Sequence, residues 1–521
     1  MRKPKQLVIL TSRFSDVPFH TSIFKSIPLD SQVIIFGPVK FSVLKKLLRF
    51  ARTFFRTLLL IAEERKIYSL PWFYFESDVL RVQGFESISP VDVQKIFKDS
   101  IVISLGSPKI PPDILSLIYF GINAHTGLLP AYKGVRSIEL ALKNNDFGGL
   151  CYTIHLLSPK VDAGAIVGGQ FGPSVFLKSF IQIKLWYLLN SLSEIEQIVS
   201  PNLSSKKVIE SIDQTSGGKF YVKSEADFLL GGNKQQFITD AYEKFHRNGK
   251  KNQFVDQCRS MNGLVVLCYH SFVSRDEAEI LRRFSFPRIY TDKNIFYQHM
   301  EVMSDVGQIL DFEEGIIRYL GGELDTGCHF VVSFDDGFES ALQVKDCMPV
   351  EPCYFVNGRP ILEGQTTKFW RSLVSKYRRS MERNDELSIV IENLKFFSKD
   401  ELVAREKLEA STLTLGSHTY DHFDLNSRNI SFLNEQIVED NRKLSRSLNR
   451  TIKYFSFPFG KLDRRSVVSD AIVRKEFSMS FGCFGGVNCG RLDNREFLRI
   501  GVHNESKSDF IRLLSVQWER G

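Results

Sequence analysis

The sequence of 521 residues lacks any Cys-x-x-Cys pair and any apolar run of membrane-spanning length. Its eight cysteines are scattered, which argues against a zinc ribbon or a disulfide framework. The first apolar run, residues 7–10, is too short for the hydrophobic region of a signal peptide. We therefore expect a cytoplasmic protein with reduced cysteines and no transmembrane segment.

Acidic residues are missing from residues 40–56, although the chain as a whole is close to charge balance. This segment holds six basic residues, and its apolar residues recur at three- and four-residue steps, which predicts an amphipathic helix. We expect the helix to pack against a sheet, and peripheral contact with a membrane is the alternative. The formal net charge of +8 suits a phosphorylated substrate or an anionic surface, and we expect no nucleic-acid partner.

A pair of adjacent carboxylates stands out in the second half of the chain. The apolar residues 330–332 predict a buried strand, which leads into Ser-Phe-Asp-Asp-Gly at 333–337. Neighbouring carboxylates repel each other, so a metal or a proton normally holds such a pair. A second strand-like run, 413–416, is followed by His418 and His422. One Asp and two His form the ligand set of a catalytic zinc site that keeps a position open for water.

The first half of the chain has a polar group of its own. Asn123 and His125 follow a strand-like run at 100–106, and their alternate spacing would place both side chains on one face of a strand. Asp162 follows in a sequence typical of a tight loop. An amide can donate to an oxyanion, an imidazole can carry a proton, and a carboxylate can orient the imidazole. The three residues suit acyl transfer to an amine, and a hydrogen-bonded core histidine is the alternative.

The motif Asn-x-His-x-Gly-Leu-Leu-Pro-x-Tyr-x-Gly, which starts at Asn123, resembles the folate-dependent formyltransferases. The resemblance covers residues 1–230 and includes the Asp-x-Gly that starts at Asp162, while Gly127 stands where many members have Ser. It implies a Rossmann-like sheet, formyl-tetrahydrofolate as the donor, and Asn123, His125 and Asp162 as the catalytic set.

The same resemblance implies a position for the cofactor. The segment that follows the strand-like run 100–106 would lie where the family holds the pterin, largely through backbone contacts. The cofactor-binding residues would be Leu105, Gly106 and Ile110.

The second half of the chain resembles the polysaccharide deacetylases of carbohydrate esterase family four over residues 262–510. Strand-like runs alternate with helix-like stretches, and polar groups collect at the carboxyl ends of the strands, as in a β/α barrel. The resemblance implies that Zn²⁺ or another divalent metal is bound and that an amide is hydrolysed. The implied metal ligands are Asp336, His418 and His422, the general base is Asp335, and the general acid is His503.

One position departs from this family pattern. Ser456 stands where many members have an Arg that accompanies the general base. Asp335 would then lack that partner, or Arg499 would supply it. Tyr269 and His270, at the end of another strand-like run, would line the pocket.

The two halves predict an α/β protein of more than one domain. We expect an N-terminal Rossmann-like formyltransferase domain at 1–240, a linker at 241–260, and a distorted (β/α) barrel deacetylase domain at 261–521. A deacetylase exposes an amine and a formyltransferase caps one, so the sequence predicts a bifunctional enzyme that deacetylates and then formylates an amino sugar. The sugar would be nucleotide- or lipid-linked and destined for a surface polysaccharide.

Two alternatives to this prediction concern the second domain. The metal site would remove a formyl group rather than an acetyl group, or the domain would be a sugar-binding module with a decayed site.

Overall fold

The computed structural model describes residues 4–11, 27, 29–36, 79–144, 146–172, 180–203, 209–215, 218–230, 262–345, 348–408, 413–489 and 496–518. The chain divides into two compact units, and the elements of each lie mainly before and after the stretch 231–261. The basic segment 40–56 and the expected linker at 241–260 lie outside the described residues.

The first unit is built on a seven-stranded sheet. Its strands are β1 (Gln6–Thr11), β2 (Asp30–Phe36), β3 (Val79–Val82), β4 (Ile101–Leu105), β5 (Phe120–Thr126), β7 (Cys151–Leu156) and β8 (Ile166–Phe171). The order is β3-β2-β1-β4-β5-β7-β8, with β1 to β5 parallel and β7 antiparallel to both of its neighbours. The parallel part has the strand order of a Rossmann-like fold, as the sequence predicted.

Five α-helices and one small sheet accompany the large sheet among the described residues of this unit. The helices are Pro90–Phe97, Pro112–Leu117, Ser137–Lys143, Phe180–Val199 and Lys223–Leu230. Two short strands, β6 (Tyr132–Gly134) and β9 (Lys219–Tyr221), pair with each other. Residues 7–10 of β1 are fully buried, because a central parallel strand is covered on both faces.

The second unit is a closed parallel barrel. Its strands are β10 (Asn262–Tyr269), β14 (Gly327–Phe334), β15 (Cys353–Val356), β16 (Thr414–Ser417), β17 (Tyr454–Ser456), β18 (Met479–Gly482) and β19 (Glu496–Gly501). Pairing of β10 with both β14 and β19 closes the ring, so this sheet has no free edge there. A short strand, β13 (Gln308–Ile309), adds to the start of β14, and β11 (Ser271–Val273) pairs with β12 (Tyr290–Asp292). The predicted (β/α) barrel is thereby confirmed.

Helices surround the barrel. They are Arg275–Arg283, Lys293–Val306, Phe312–Gly321, Glu339–Lys345, Gly358–Glu363, Lys368–Ser375, Arg378–Met381, Asp385–Asn393, Lys399–Leu408, Ile430–Asn434, Asp440–Leu448, Val467–Glu476 and Lys507–Trp518. Five of them, from Gly358 to Leu408, lie between β15 and β16 and form a helical insertion. Helices Ile430–Asn434 and Asp440–Leu448 are joined by one π-helical turn at Glu435–Glu439.

Aromatic side chains fill the lower part of the barrel interior. The rings of Phe481 and Phe497 stack with centroids 5.3 Å apart, and Phe355 lies 5.2 Å from Phe481. Above this layer the interior becomes polar, because the inward positions at the carboxyl ends of the strands carry charged and hydroxyl side chains. That end of the barrel is where active sites of β/α barrels form.

Candidate active sites

The carboxyl ends of β14 and β16 bring the two predicted metal motifs to the same rim of the barrel. Asp335 and Asp336 directly follow β14, and His418 directly follows β16. Three residues of these turns, Asp336, Thr419 and His422, have left-handed backbone, with φ of 70°, 67° and 55°. Such conformations are costly for residues other than glycine, and they collect at functional sites.

Asp336, His418 and His422 face one another in a buried cluster. Asp336 Oδ1 lies 3.4 Å from His418 Nε2 and 3.2 Å from His422 Nε2. The three residues are 8%, 1% and 6% exposed, and one potential ligand atom from each lies within 4.8 Å of the others. The structure therefore brings together the three residues predicted to hold a metal.

The cluster attracts positive charge. Asp336 Oδ1 has no hydrogen-bond partner among the described residues. Burial lowers the pKa of His418, but the carboxylates of Asp335 and Asp336 raise that pKa overall. His418 Nδ1 donates to the carbonyl of Ser456 at 2.8 Å, which leaves its Nε2 to face Asp336. Two imidazoles and a carboxylate in this arrangement fit a divalent cation such as Zn²⁺, with a position left for water.

The turn that carries the two histidines is held from outside the cluster. Asn357 Nδ2 donates to the carbonyl oxygens of His418 and Thr419 at 2.7 and 3.2 Å. Arg359 donates to both carboxylate oxygens of the fully buried Asp421, at 2.6 and 2.9 Å. These bonds fix the turn independently of a metal, so the imidazoles are positioned in advance.

Asp335 is paired with Arg499. Arg499 therefore supplies the guanidinium that many members of the resembled family have at the position of Ser456. Arg499 Nη1 and Nη2 donate to the two oxygens of Asp335, each at 2.7 Å. Ser456 Oγ donates to Asp335 at 3.0 Å. Burial raises the pKa of Asp335, but the charge of Arg499 lowers it well below its usual range. The carboxylate next to the metal ligands is therefore ionised, as a general base requires.

Two further histidines stand side by side at this rim. The rings of His270 and His503 stack with centroids 6.2 Å apart, and neither Nδ1 has a hydrogen-bond partner among the described residues. Burial lowers the pKa of His503 to about 4. Burial also lowers the pKa of His270, against the charges of Asp336 and Asp335. Sequence reasoning placed His270 only in the pocket wall, although it directly follows β10 and its ring stacks on that of His503.

A second group of donors is less suited to a cation. Cys268, His270 and Asp335 also offer ligand atoms within 4.8 Å of one another. Both oxygens of Asp335 already accept from Arg499, and a cation beside that guanidinium would be repelled. Asp336 and its two histidines therefore suit a cation better than this second group does.

The three residues predicted in the first unit are also together. Asn123 and His125 lie on β5, and Asn123 Nδ2 is 3.4 Å from Asp162 Oδ1. His125 Nδ1 is 3.5 Å from Asp162 Oδ2, and His125 Nε2 donates to the carbonyl of Tyr132 at 2.6 Å. Burial raises the pKa of Asp162, but His125 and other partners lower it to about 2. The site thus holds an ionised carboxylate beside an amide and an imidazole.

His155 is a member of this site that the sequence prediction left out. It lies on β7 directly opposite Asn123, because β7 runs antiparallel to β5. Its Nδ1 donates to the carbonyl of Leu156 at 2.9 Å, so its Nε2 accepts from Asn123 Nδ2 at 3.0 Å. His155 therefore orients the amide of Asn123. In the sequence, only its position near the end of a strand indicated that His155 could belong to a site.

A cavity of about 510 Å³ opens beside these residues. Its wall includes Asn123, His125 and Asp162 together with the three residues predicted to contact a cofactor, Leu105, Gly106 and Ile110. The segment after β4 and the end of β5 meet here because the two strands are parallel neighbours. Lys109 and Lys160 also line the cavity, while its two acidic residues, Glu139 and Asp162, are buried.

Comparison with known proteins gives one family match. A model of the polysaccharide deacetylase family matches residues 373–473. The match confirms the predicted resemblance of the second half to polysaccharide deacetylases and the prediction of an enzyme. No curated protein matches the sequence.

Solved structures similar to this chain fall into two groups. IcaB from Ammonifex degensii is 20% identical and covers 49% of this chain and 98% of its own, with a TM-score of 0.36. A de-N-acetylase from Aggregatibacter actinomycetemcomitans is 16% identical and covers 48% of this chain and 99% of its own, with a TM-score of 0.36. A sugar N-formyltransferase from Shewanella is 12% identical and covers 45% of this chain and 86% of its own, with a TM-score of 0.31.

Two features of the chain bear on its setting. In the part of the chain that the structure describes, no helix is both long enough and apolar enough to cross a membrane. None of the described cysteines, at positions 151, 268, 328, 353, 483 and 489, forms a disulfide.

We predict that His418→Ala abolishes high-affinity metal binding by the second unit. The change removes one of the three ligands from the site, and the methyl group of alanine cannot bind a metal in place of the imidazole. Metal affinity is measured by titration of the metal-depleted protein with Zn²⁺. His329→Ala, which changes a buried histidine at the other end of β14, serves as the control and should bind Zn²⁺ as the wild type does. Equal affinity in the His418 variant would contradict the site.

We predict that Arg499→Met moves the acidic limb of the pH–rate profile of hydrolysis to higher pH. The guanidinium lowers the pKa of Asp335, so the base stays ionised well below neutral pH. Without it, burial alone acts on Asp335 and raises that pKa. Hydrolysis of 4-nitrophenyl acetate at saturating Zn²⁺ should therefore fall more at pH 5 than at pH 8. Ser456→Ala removes one hydrogen bond to Asp335 and one from Arg499 but keeps the guanidinium, so it should shift the limb less. An unmoved limb in Arg499→Met would exclude the assigned role.

Proposed function

We propose that the chain is a bifunctional amino-sugar enzyme, with a metal-dependent N-deacetylase at 261–521 and a formyl-tetrahydrofolate-dependent N-formyltransferase at 1–240, joined by 241–260. The observation that carries the proposal is the buried group of Asp336, His418 and His422 beside the ionised Asp335. The second polar site, with Asn123, His125 and Asp162 on its own cavity, supports the transferase half.

In the deacetylase half, Asp336, His418 and His422 would hold the metal. When bound, the metal polarises the acyl oxygen and makes water nucleophilic near neutral pH. Asp335 accepts the proton of the attacking water, because Arg499 keeps its carboxylate ionised and fixes its direction. The amine then leaves with a proton from a general acid, since an amide anion is a poor leaving group.

Two imidazoles compete for the role of general acid. His503 is the residue that the family pattern implies, and His270 faces both carboxylates of the site. Because burial lowers the pKa of both rings, each is neutral at pH 7. The acid must therefore receive the proton that Asp335 takes from water before it protonates the amine.

In the transferase half, the amine of the sugar attacks the formyl carbon of the folate. Asn123 donates to the oxyanion that forms there, and His155 holds the amide in place. His125 would take the proton of the attacking amine and return it to the folate nitrogen as the bond between the formyl carbon and that nitrogen breaks, and Asp162 would stabilise the imidazolium in between. Leu105, Gly106 and Ile110 line the wall where the pterin would bind.

Chemistry sets the order of the two reactions. An acetylated nitrogen has its lone pair in amide resonance and cannot attack a formyl donor, so deacetylation comes first. The lysines at the mouth of the first cavity, Lys109 and Lys160, suit a sugar carried on a diphosphate, whether nucleotide- or lipid-linked. Surface polysaccharide synthesis in the cytoplasm would supply such a sugar. A complete donor set favours hydrolysis over a sugar-binding module with a decayed site.

We predict that the full-length protein converts an N-acetylated, nucleotide-linked amino sugar to the N-formyl sugar when formyl-tetrahydrofolate is present. Without the folate the product should stop at the free amine. A panel of such sugars is followed by mass spectrometry. Removal of formyl from the product, with no attack on acetyl, would overturn the exchange and favour a deformylase.

Matched variants separate the two halves in this assay. Asp335→Asn should block both products from the acetylated sugar, yet formylate the pre-made amine at the wild-type rate. Asn123→Ala should slow formylation by about 10²–10³ and accumulate the amine, and His125→Ala should do the same. If Asp335→Asn formylates no pre-made amine, the two halves are not independent.

We predict that loss of the general acid is visible only with a poor leaving group. The His503→Ala enzyme should lose about 10²-fold or more on the N-acetyl sugar but keep its rate on 4-nitrophenyl acetate, whose phenolate needs no proton. His270→Ala is measured in parallel. The residue whose loss shows this pattern is the acid, and a pattern confined to His270→Ala would overturn the assignment to His503.

A further inference from the structure

Basic side chains are concentrated on two segments of the second unit, residues 282–288 and 371–383. The first segment holds three basic residues and the second five, and all eight are exposed. We call these eight residues the basic surface. Arg282 pairs with Glu279 at 2.7 Å and Arg378 with Glu382 at 3.3 Å. The other six form no ion pair with a carboxylate of the described residues: Arg283, Arg288, Arg371, Lys376, Arg379 and Arg383.

The two segments lie against each other, so their charges form one surface. Tyr377 Oη donates to the carbonyl of Ser285 at 3.0 Å, and the Tyr377 ring lies 4.9 Å from that of Phe286. Phe286 also contacts Trp370, with ring centroids 6.1 Å apart. Phe286 and Trp370 are buried, which leaves the basic side chains on either side of them to face water.

The basic surface reaches the rim of the barrel that carries the metal cluster. Segment 282–288 leads into β12, whose partner β11 starts directly after His270. Thr291 of β12 donates to the carbonyl of His503 at 2.9 Å. Burial lowers the pKa of His503, and the charges of His270 and Arg288 lower that pKa further. Arg288 therefore stands between the basic surface and the two histidines of the rim.

An apolar groove of about 520 Å³ opens within the basic surface. Trp370, Val374 and Met381 supply apolar lining, and Arg371 and Arg378 line the same groove. A second cavity of about 380 Å³ shares the three apolar residues and extends further into the helical insertion. Guanidinium groups thus stand beside an opening that can take hydrocarbon.

This combination of groups matches an anionic lipid bilayer. Phospholipid headgroups present phosphates above hydrocarbon, and several exposed cations together attract an anionic leaflet. A soluble diphosphate would be held by cations that converge in one pocket, whereas these cations are spread over two segments. Single-stranded nucleic acid would require exposed aromatic rings for base stacking, and Phe286 and Trp370 are buried.

We propose that the basic surface docks the chain on an anionic phospholipid bilayer, with the apolar groove against the lipid. Docking at this surface brings the rim of the barrel close to the headgroups. The docking itself is independent of the chemistry of either site. Only its use, which is access to a lipid-linked amino sugar, rests on the proposed hydrolase function.

The first experiment measures cosedimentation of the full chain with vesicles of phosphatidylcholine, with and without phosphatidylglycerol. The wild type should bind only the vesicles that contain phosphatidylglycerol, and added salt should weaken the binding. The combined variant Arg283→Gln, Arg379→Gln and Arg383→Gln should bind about 100-fold more weakly, because each cation near an anionic leaflet contributes about fivefold.

A matched control separates this surface from the net charge of the protein. Arg442→Gln, Lys443→Gln and Arg446→Gln remove the same charge from exposed positions of helix Asp440–Leu448, and this variant should bind as the wild type does. Both variants should keep the Zn²⁺ affinity and the rate of 4-nitrophenyl acetate hydrolysis of the wild type, which shows that they are folded.

Four outcomes would overturn the proposal. The wild type fails to bind phosphatidylglycerol vesicles, or the two triple variants lose binding equally. Binding survives the first triple variant and is lost on Lys45→Glu and Arg49→Glu, which assigns the contact to segment 40–56. Double-stranded RNA binds more tightly than the vesicles at equal phosphate concentration. Vesicle binding by a Zn²⁺-loaded protein that deacetylates no amino sugar leaves the docking surface standing and refutes the hydrolase function.

Discussion

The buried ion pair between Arg499 and Asp335 is the interaction on which the second unit depends. A guanidinium with no exposed surface is costly to bury, and the cost is offset by two bonds to Asp335 and further bonds to the hydroxyls of Ser333 and Ser456. The pair joins β19 to β14 through the interior of the barrel. It also sets the ionisation of the carboxylate that stands next to the metal ligands.

Ser456 connects this pair to the metal cluster. Its hydroxyl accepts from Arg499 at 2.6 Å and donates to Asp335, while its carbonyl accepts from His418 Nδ1. One residue at the end of β17 therefore orients both the base and a ligand. A serine suffices here because the guanidinium from β19 already pairs with the base and donates to the serine hydroxyl.

The two units have different folds, but their polar sites are built alike. Each places an ionised carboxylate against buried imidazoles at the carboxyl ends of parallel strands, where side chains from several strands converge. In the first unit, Asp162 is bonded by the backbone of Gly134 and faces His125 and His155, and no further cation is needed. In the second, Arg499 pairs with Asp335, while Asp336 faces the two imidazoles of His418 and His422.

Local sequence determined the strands, the motifs and the identity of most site residues. Runs such as 330–332 and 7–10 are apolar because both faces of a parallel strand are covered. The turn after the first of these runs carries Asp335 and Asp336, and Asn123 and His125 lie on β5. Tertiary structure alone decided the partners that come from distant strands. Arg499 reaches Asp335 across 164 positions, His155 reaches Asn123 through an antiparallel pairing, and Phe369 reaches His422 from the helical insertion. Such contacts depend on how the barrel closes and how strands are ordered, and neither property is encoded in the spacing of residues along one segment.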